Sequence, residues 1–310
     1  MKKVAKVIGI LLASLLGLIV LGGLVIFVSY LFLNRTNGSI ESSGETRKYL
    51  LYVPESYDPA KATPLIISLH GFIEWPAHQA QISHWNEVAD EDGFIVVYPQ
   101  GSGFPLRWNS SEISQDGENP SKDVVFIIDL IAKLESEYHI DPHRIFVNGL
   151  SNGGGMSFLL ACELSGRFAA FGGVAGAYSL PMEQCNVGRP MPVIVFHGTD
   201  DKIVPYHGSV ETSQGYGLPD IPEWVKAWAV KNGCDVDAPE ELPAQGEVSG
   251  VRYGSCEDEV EVEFYTIHGG GHTWPGGEGM PEVITGKTTQ DIDATRVMWD
   301  FFQRFPLPGN

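Results

Sequence analysis

An α/β fold, with a mostly parallel central sheet and helices on both of its faces, is predicted by three features of the sequence. Short runs rich in β-branched and aromatic residues alternate with stretches of helical spacing. Several of these runs, PLIISLH at 64–70, FIVVY at 94–98 and VIVFH at 193–197, are apolar throughout, as expected of strands buried on both faces. The loops that follow them carry histidine, serine or aspartate beside glycine. Ligands of such sheets bind at the carboxyl ends of the strands, so these loops are where function is sought.

Residues 1–33 stand apart from that pattern. Lys2, Lys3 and Lys6 lead into an uncharged, predominantly apolar stretch over 7–33. It exceeds the roughly 20 residues needed to cross a bilayer and the apolar region of about 7 to 15 residues usual in a cleaved signal peptide. A single N-terminal transmembrane helix acting as a signal anchor is expected, with cleavage and secretion as the lesser alternative. The lysines hold its start in the cytoplasm and the rest of the chain outside. Residues 34–45 read as a linker and 46–310 as one domain.

Within that domain an alternating strand is expected over 47–54, followed by buried strands at 64–70 and 94–98. A helix over 124–138 has Val124, Ile127, Ile128, Ile131 and Leu134 on one face and Ser121 as its N-cap. A strand ending before Ser151 comes next, then strands at 168–174 and 193–197, a helix at 221–231, a strand at 259–268 and a closing helix at 292–305. The 20 basic residues against 39 acidic ones leave no basic face, which argues against nucleic acid as a partner. No metal or organic cofactor is called for: the histidines lack H-E-x-x-H spacing, and no dinucleotide fingerprint follows the first strand.

Cys162, Cys185, Cys234 and Cys256 all follow the apolar segment, in a compartment where disulfides persist, and none has C-x-x-C spacing. Three pairings are open. Cys162 with Cys185 and Cys234 with Cys256 are favoured because each pair brackets a local segment that returns to the sheet; buried free thiols are the alternative.

The candidate chemistry centres on 144–161, RIFVNGLSNGGGMSFLLA, read as strand, tight turn and helix with Ser151 at the apex. Gly149 and Gly153 flank the serine because a sharp strand-to-helix turn crowds the backbone. With 36 glycines in the chain, G-x-S-x-G is weak alone; the strand before it and the helix after it make it a nucleophile elbow. The new helix supplies free N–H groups and partial positive charge beside the hydroxyl. After the runs at 193–197 and 259–268 come Asp200-Asp201 and the glycine-rich loop carrying His272, so that serine, acid and histidine follow in chain order.

On LHG at 69–71, NGLSNGG at 148–154, FHGTDDKIVPY at 196–206 and GGGHTWPGG at 269–277, the chain from 46 to 305 resembles a family of α/β-hydrolase esterases. The family groups polyhydroxybutyrate depolymerase-like, feruloyl esterase-like and acetyl xylan esterase-like proteins. The resemblance implies ester hydrolysis with Ser151 as nucleophile, His272 as base and Asp201 as the acid that orients it; His268 and Asp200 are the neighbouring rivals. It implies an oxyanion hole made by the N–H groups of Asn152 and Phe72, although Phe72-Ile73-Glu74-Trp75 stands where many relatives carry small residues or cysteine. Trp108 and Trp274 are candidates for a substrate wall, His70 and His197 for shaping their loops, and 72–81 with 207–218 for a lid. A serine peptidase or a non-catalytic binding module on the same fold are the competing functions.

Overall fold

The computed structural model describes residues 14–24, 34–113, 120–210 and 217–309. Its strands are β1 (Gly38–Ser42), β2 (Glu45–Tyr52), β3 (Thr63–Leu69), β4 (Ile95–Pro99), β5 (Ile140–Leu150), β6 (Phe171–Val174), β7 (Val193–Gly198), β8 (Glu240–Gln245), β9 (Val248–Tyr253) and β10 (Val262–Ile267). All ten join one sheet in the order β1-β2-β4-β3-β5-β6-β7-β10-β9-β8. From β4 to β10 the neighbours run parallel. An antiparallel hairpin closes each edge, β1-β2 against β4 and β8-β9 against β10.

Strands β3, β4 and β7 are buried along their whole length, without an exposed residue. Each fully buried Val, Leu, Ile or Phe contributes about 1.5–3 kcal/mol over leaving it in water, so these strands form a rigid base for the loops at their ends. Helices α3 (Lys122–Glu137), α4 (Asn152–Glu163) and α5 (Ile221–Lys231) bury their apolar stripes on one face of the sheet. Helices α1 (Pro76–Ser83), α2 (Trp85–Asp92) and α7 (Ala294–Gln303) cover the other, and the one-turn α6 (Glu282–Thr285) lies in the loop after β10. Ser121 caps α3 by accepting the Val124 N–H, and Asp220 and Asp293 cap α5 and α7 in the same way.

The sheet is more mixed than the apolar runs suggest. Part of the stretch expected as a linker, Gly38–Ser42, is the edge strand β1, and β8 and β9 were not expected at all. Edge strands are short and half exposed, so they lack the continuous apolar run that marks a central strand. Most of the segment 72–81, considered as a lid, is the start of α1, whose sequence PAHQAQIS has almost no apolar stripe and is announced mainly by proline in its first turn. The other lid candidate, 207–218, lies partly outside the described residues.

Residues 14–24 are helical, and among the described residues no helix is long and apolar enough to cross a membrane. The remainder of the expected transmembrane segment, 1–13 and 25–33, falls outside them. Cys162 is disulfide-bonded to Cys185, joining the end of α4 to the approach to β7, and Cys234 to Cys256, joining the end of α5 to the approach to β10.

Candidate active site

Ser151 occupies the junction of β5 and α4 with φ 56° and ψ −119°, a conformation that costs a non-glycine residue about 1–3 kcal/mol. Its surroundings impose that shape. The Ser151 N–H donates to Val174 O at 2.9 Å, and its carbonyl accepts the N–H groups of Ala177 at 2.9 Å and Gly155 at 3.0 Å. A Cβ at Gly149 would stand 2.4 Å from the Gly153 carbonyl carbon, and one at Gly153 would stand 2.3 Å from Leu69 O. Only glycine fits either place, which is the physical content of the G-x-S-x-G spacing.

Asp201 and His272, 71 residues apart, meet at the carboxyl ends of β7 and β10. His272 Nδ1–H donates to Asp201 Oδ2 at 2.7 Å, while Asp201 Oδ1 accepts the N–H groups of Ile203 at 2.9 Å and Val204 at 2.8 Å. This network assigns the proton to Nδ1 and leaves Nε2 as a lone-pair acceptor. Both side chains are buried. His197 adds a second imidazole: its Nε2–H donates to Val204 O at 2.9 Å and lies 3.5 Å from Asp201 Oδ2. Burial pushes the His197 pKa down, against the Val204 carbonyl and the Asp201 charge.

Leu150, the residue before Ser151, shares a cavity of about 30 Å3 with His272, Thr273, Trp274, Glu74 and His78. Among the described residues no hydrogen bond joins the Ser151 hydroxyl to His272, a distance that often closes only when substrate binds. The rivals point elsewhere. His268 is exposed at the end of β10, not turned into the sheet, and is hydrogen-bonded to the Ser249 hydroxyl at 2.8 Å. Asp200 is exposed as well.

The oxyanion donors expected from the sequence lie on two backbones. The Asn152 N–H opens α4, where no preceding turn can accept it. Beyond β3, His70 accepts the Gly101 N–H on Nε2 at 2.9 Å and therefore donates from Nδ1 to Gly71 O at 2.7 Å. Burial holds the His70 pKa down, so the ring is a neutral strut between the β3 and β4 loops. This bracing role was not visible beyond the general expectation that His70 shapes its loop.

The two tryptophans are not open walls. Trp108 is 2% exposed; its Nε1–H donates to His70 O at 2.9 Å and its N–H to Asn152 Oδ1 at 2.7 Å. It braces Asn152, the residue after Ser151, in a loop further held by the Asp123 carboxylate, which accepts the Asn109 N–H at 2.8 Å and pairs with Arg47 at 2.7 Å. Trp274 borders the cavity beside His272 but is 1% exposed, with its Nε1–H on Thr295 Oγ1 at 2.9 Å. Large aromatics are worth most when their surface is buried, and here the core has claimed both rings. Among the described residues no group of histidine, cysteine, aspartate or glutamate is arranged to hold a metal ion.

The parallel sheet, with an elbow at its centre and a carboxylate–imidazole pair beyond it, has the arrangement of an α/β-hydrolase fold. Residues 47–181 match the family described as Esterase PHB depolymerase. Feruloyl esterase B of Piromyces equi is 30% identical over 272 residues, 84% of this chain and 46% of that protein. The bifunctional acetylxylan esterase/xylanase XynS20E of Neocallimastix patriciarum is 25% identical over 270 residues, 86% of this chain and 34% of that protein. The chain thus spans about a third to a half of the length of these two relatives. Among solved structures, an acetyl xylan esterase from Aspergillus awamori superposes with a TM-score of 0.57 at 18% identity, over 86% of this chain and 98% of that one, a likeness of fold.

Proposed function

We propose that this chain is a serine carboxylic ester hydrolase working through an acyl-enzyme. Ser151 Oγ attacks the ester carbonyl while His272 Nε2 takes its proton; Asp201 keeps the imidazole in the required tautomer and stabilises the imidazolium. The negative oxygen of the tetrahedral intermediate receives the Asn152 and Phe72 N–H groups. His272 then protonates the departing alcohol, and water, deprotonated by the same ring, releases the acid. The observation that carries this reading is the 2.7 Å Asp201–His272 bond beside a serine held in an elbow conformation.

The names of the relatives support a feruloyl or acetyl ester of a plant polysaccharide as substrate, and the family description supports a hydroxyacyl oligomer. We place the catalytic unit in a single domain that includes β1 and so starts by residue 38, acting outside the cytoplasm. The two disulfides and the charge pattern ahead of the apolar segment support that location, with 1–33 as its membrane anchor. The test is hydrolysis of methyl ferulate, acetylated xylo-oligosaccharide, hydroxybutyrate oligomers and a chromogenic short-chain ester by the parent and by Ser151→Ala. Loss of turnover with retained folding is the expected result, and a fully active Ser151→Ala variant would overturn the reading.

A further inference from the structure

The turn after β3 carries Phe72-Ile73-Glu74-Trp75, and its donors and acceptors point to a use for the glutamate. We propose that Glu74 is a positioning residue for the oxyanion site: its carboxylate takes up the Gly71 N–H and fixes the turn so that the Phe72 N–H alone faces the site unspent. The inference rests on the ester-hydrolase reading and deepens it.

The donors of the turn can be followed one by one. The Gly71 N–H donates to Glu74 Oε2 at 2.9 Å. The Ile73 N–H donates to Leu106 O at 2.9 Å, and the Glu74 N–H to Gly71 O at 3.3 Å. The Phe72 N–H has no acceptor among the described residues. Ile73 is held at φ 62°, a left-handed conformation unfavourable to a β-branched side chain, which persists only where surrounding bonds over-determine it. The Glu74–Gly71 bond and the Ile73–Leu106 bond are those constraints.

The same carboxylate lies against the nucleophile. A Cβ at Gly71 would be 2.9 Å from Glu74 Oε2 and 3.4 Å from Ser151 Cβ, so the two side chains flank one small void that only glycine leaves open. Glu74 Oε1 stands 3.6 Å from His78 Nδ1 on α1. His70 faces the carboxylate from the end of β3, and His272 and Glu278 line the far side of the cavity. Burial raises the Glu74 pKa, but the contact and charge of His78 and the Gly71 N–H outweigh it and hold the carboxyl below its usual range. The group is an anion whose charge is spent on Gly71 and His78, away from the oxyanion's own donors.

The test compares Glu74→Ala, Glu74→Asp and Glu74→Gln in the full chain, with the folded fraction measured for each. Alanine removes the acceptor, and aspartate keeps the charge but falls one methylene short of Gly71. Both should lower kcat on the order of a hundredfold with KM within about twofold of the parent, the scale expected when one oxyanion donor is misplaced. Glutamine presents an amide oxygen at the original reach and should recover most of kcat. Affinity for a trifluoromethyl ketone, which forms a tetrahedral anion, should fall in step with kcat. An active parent with undiminished kcat in the alanine and aspartate variants overturns the positioning role alone. A glutamine variant as impaired as alanine also overturns it, since an acceptor at the original reach would then do nothing for kcat. A parent without turnover defeats the ester-hydrolase reading itself.

Discussion

Asn152 and Trp108 clasp each other: the Trp108 N–H donates to Asn152 Oδ1 at 2.7 Å, and Asn152 Nδ2 donates back to Trp108 O at 3.1 Å. The residue that follows the elbow serine is thereby stitched to the β4 loop, and through the Trp108 indole to the carbonyl of His70 at the end of β3. Three strand ends that the chain reaches at widely separated positions are locked into one frame around Ser151.

Trp108→Phe separates bracing from substrate contact. It keeps an aromatic ring, smaller than the indole, but removes the indole donor, leaving the buried His70 carbonyl without its partner at a cost of about 1–3 kcal/mol. Urea unfolding should register that loss, and kcat should fall while KM stays close to the parent value. A raised KM at unchanged kcat would return Trp108 to the substrate wall.

Asp201→Asn should leave the fold intact and reduce kcat by roughly a thousandfold or more. An amide in place of the carboxylate favours the wrong imidazole tautomer and gives the imidazolium no countercharge. Asp200→Asn, altering an exposed neighbour, should change little. Steady-state kinetics of the two variants side by side decide which carboxylate of the doublet is used.

Stability should fall on the acid side of neutrality. Burial lowers the pKa values of His70 and His197 in the folded protein, whereas in the unfolded chain both titrate near 6.5. The unfolded state therefore binds protons first. The stabilising contribution is complete above about pH 6.5 and is lost as pH drops toward the folded pKa values, at about 1.4 kcal/mol per pH unit for each histidine. Unfolding free energies measured from pH 8 to pH 5 check this, and a flat profile would show that these rings do not stay neutral in the fold.

Reducing the two disulfides should destabilise the domain by about 3 kcal/mol each, the chain-entropy value for closed loops of this size. Thermal unfolding with and without a reductant reads the change. A reduced protein with an unshifted transition would mean that the loops are ordered without their bridges.

The sequence announced the parts of this molecule whose physics is local or repetitive. Strands β3, β4 and β7 are uniformly apolar because both faces are covered, and the glycines around Ser151 mark a backbone crossing that admits nothing larger. The loops bearing Asp201 and His272 were traceable because each follows such a strand. What stayed hidden depends on partners far away in the chain or on weak patterning. The half-exposed β1 and β8 read as polar coil, and α1 has scarcely any amphipathic stripe. A tryptophan looks the same in sequence whether it lines a pocket or fills the core, so the burial of Trp108 and Trp274 had no signal. The Glu74–Gly71 bond had no signal beyond a glutamate in the turn after the HG pair.

The central claim is that Ser151 is the nucleophile, and intact-mass spectrometry after treatment with a fluorophosphonate tests it most directly. One covalent adduct per chain, mapped by peptide digestion to Ser151 and absent from Ser151→Ala, is the predicted result. A parent protein that remains unlabelled, or an adduct that maps to a different serine and survives in the variant, would contradict the account.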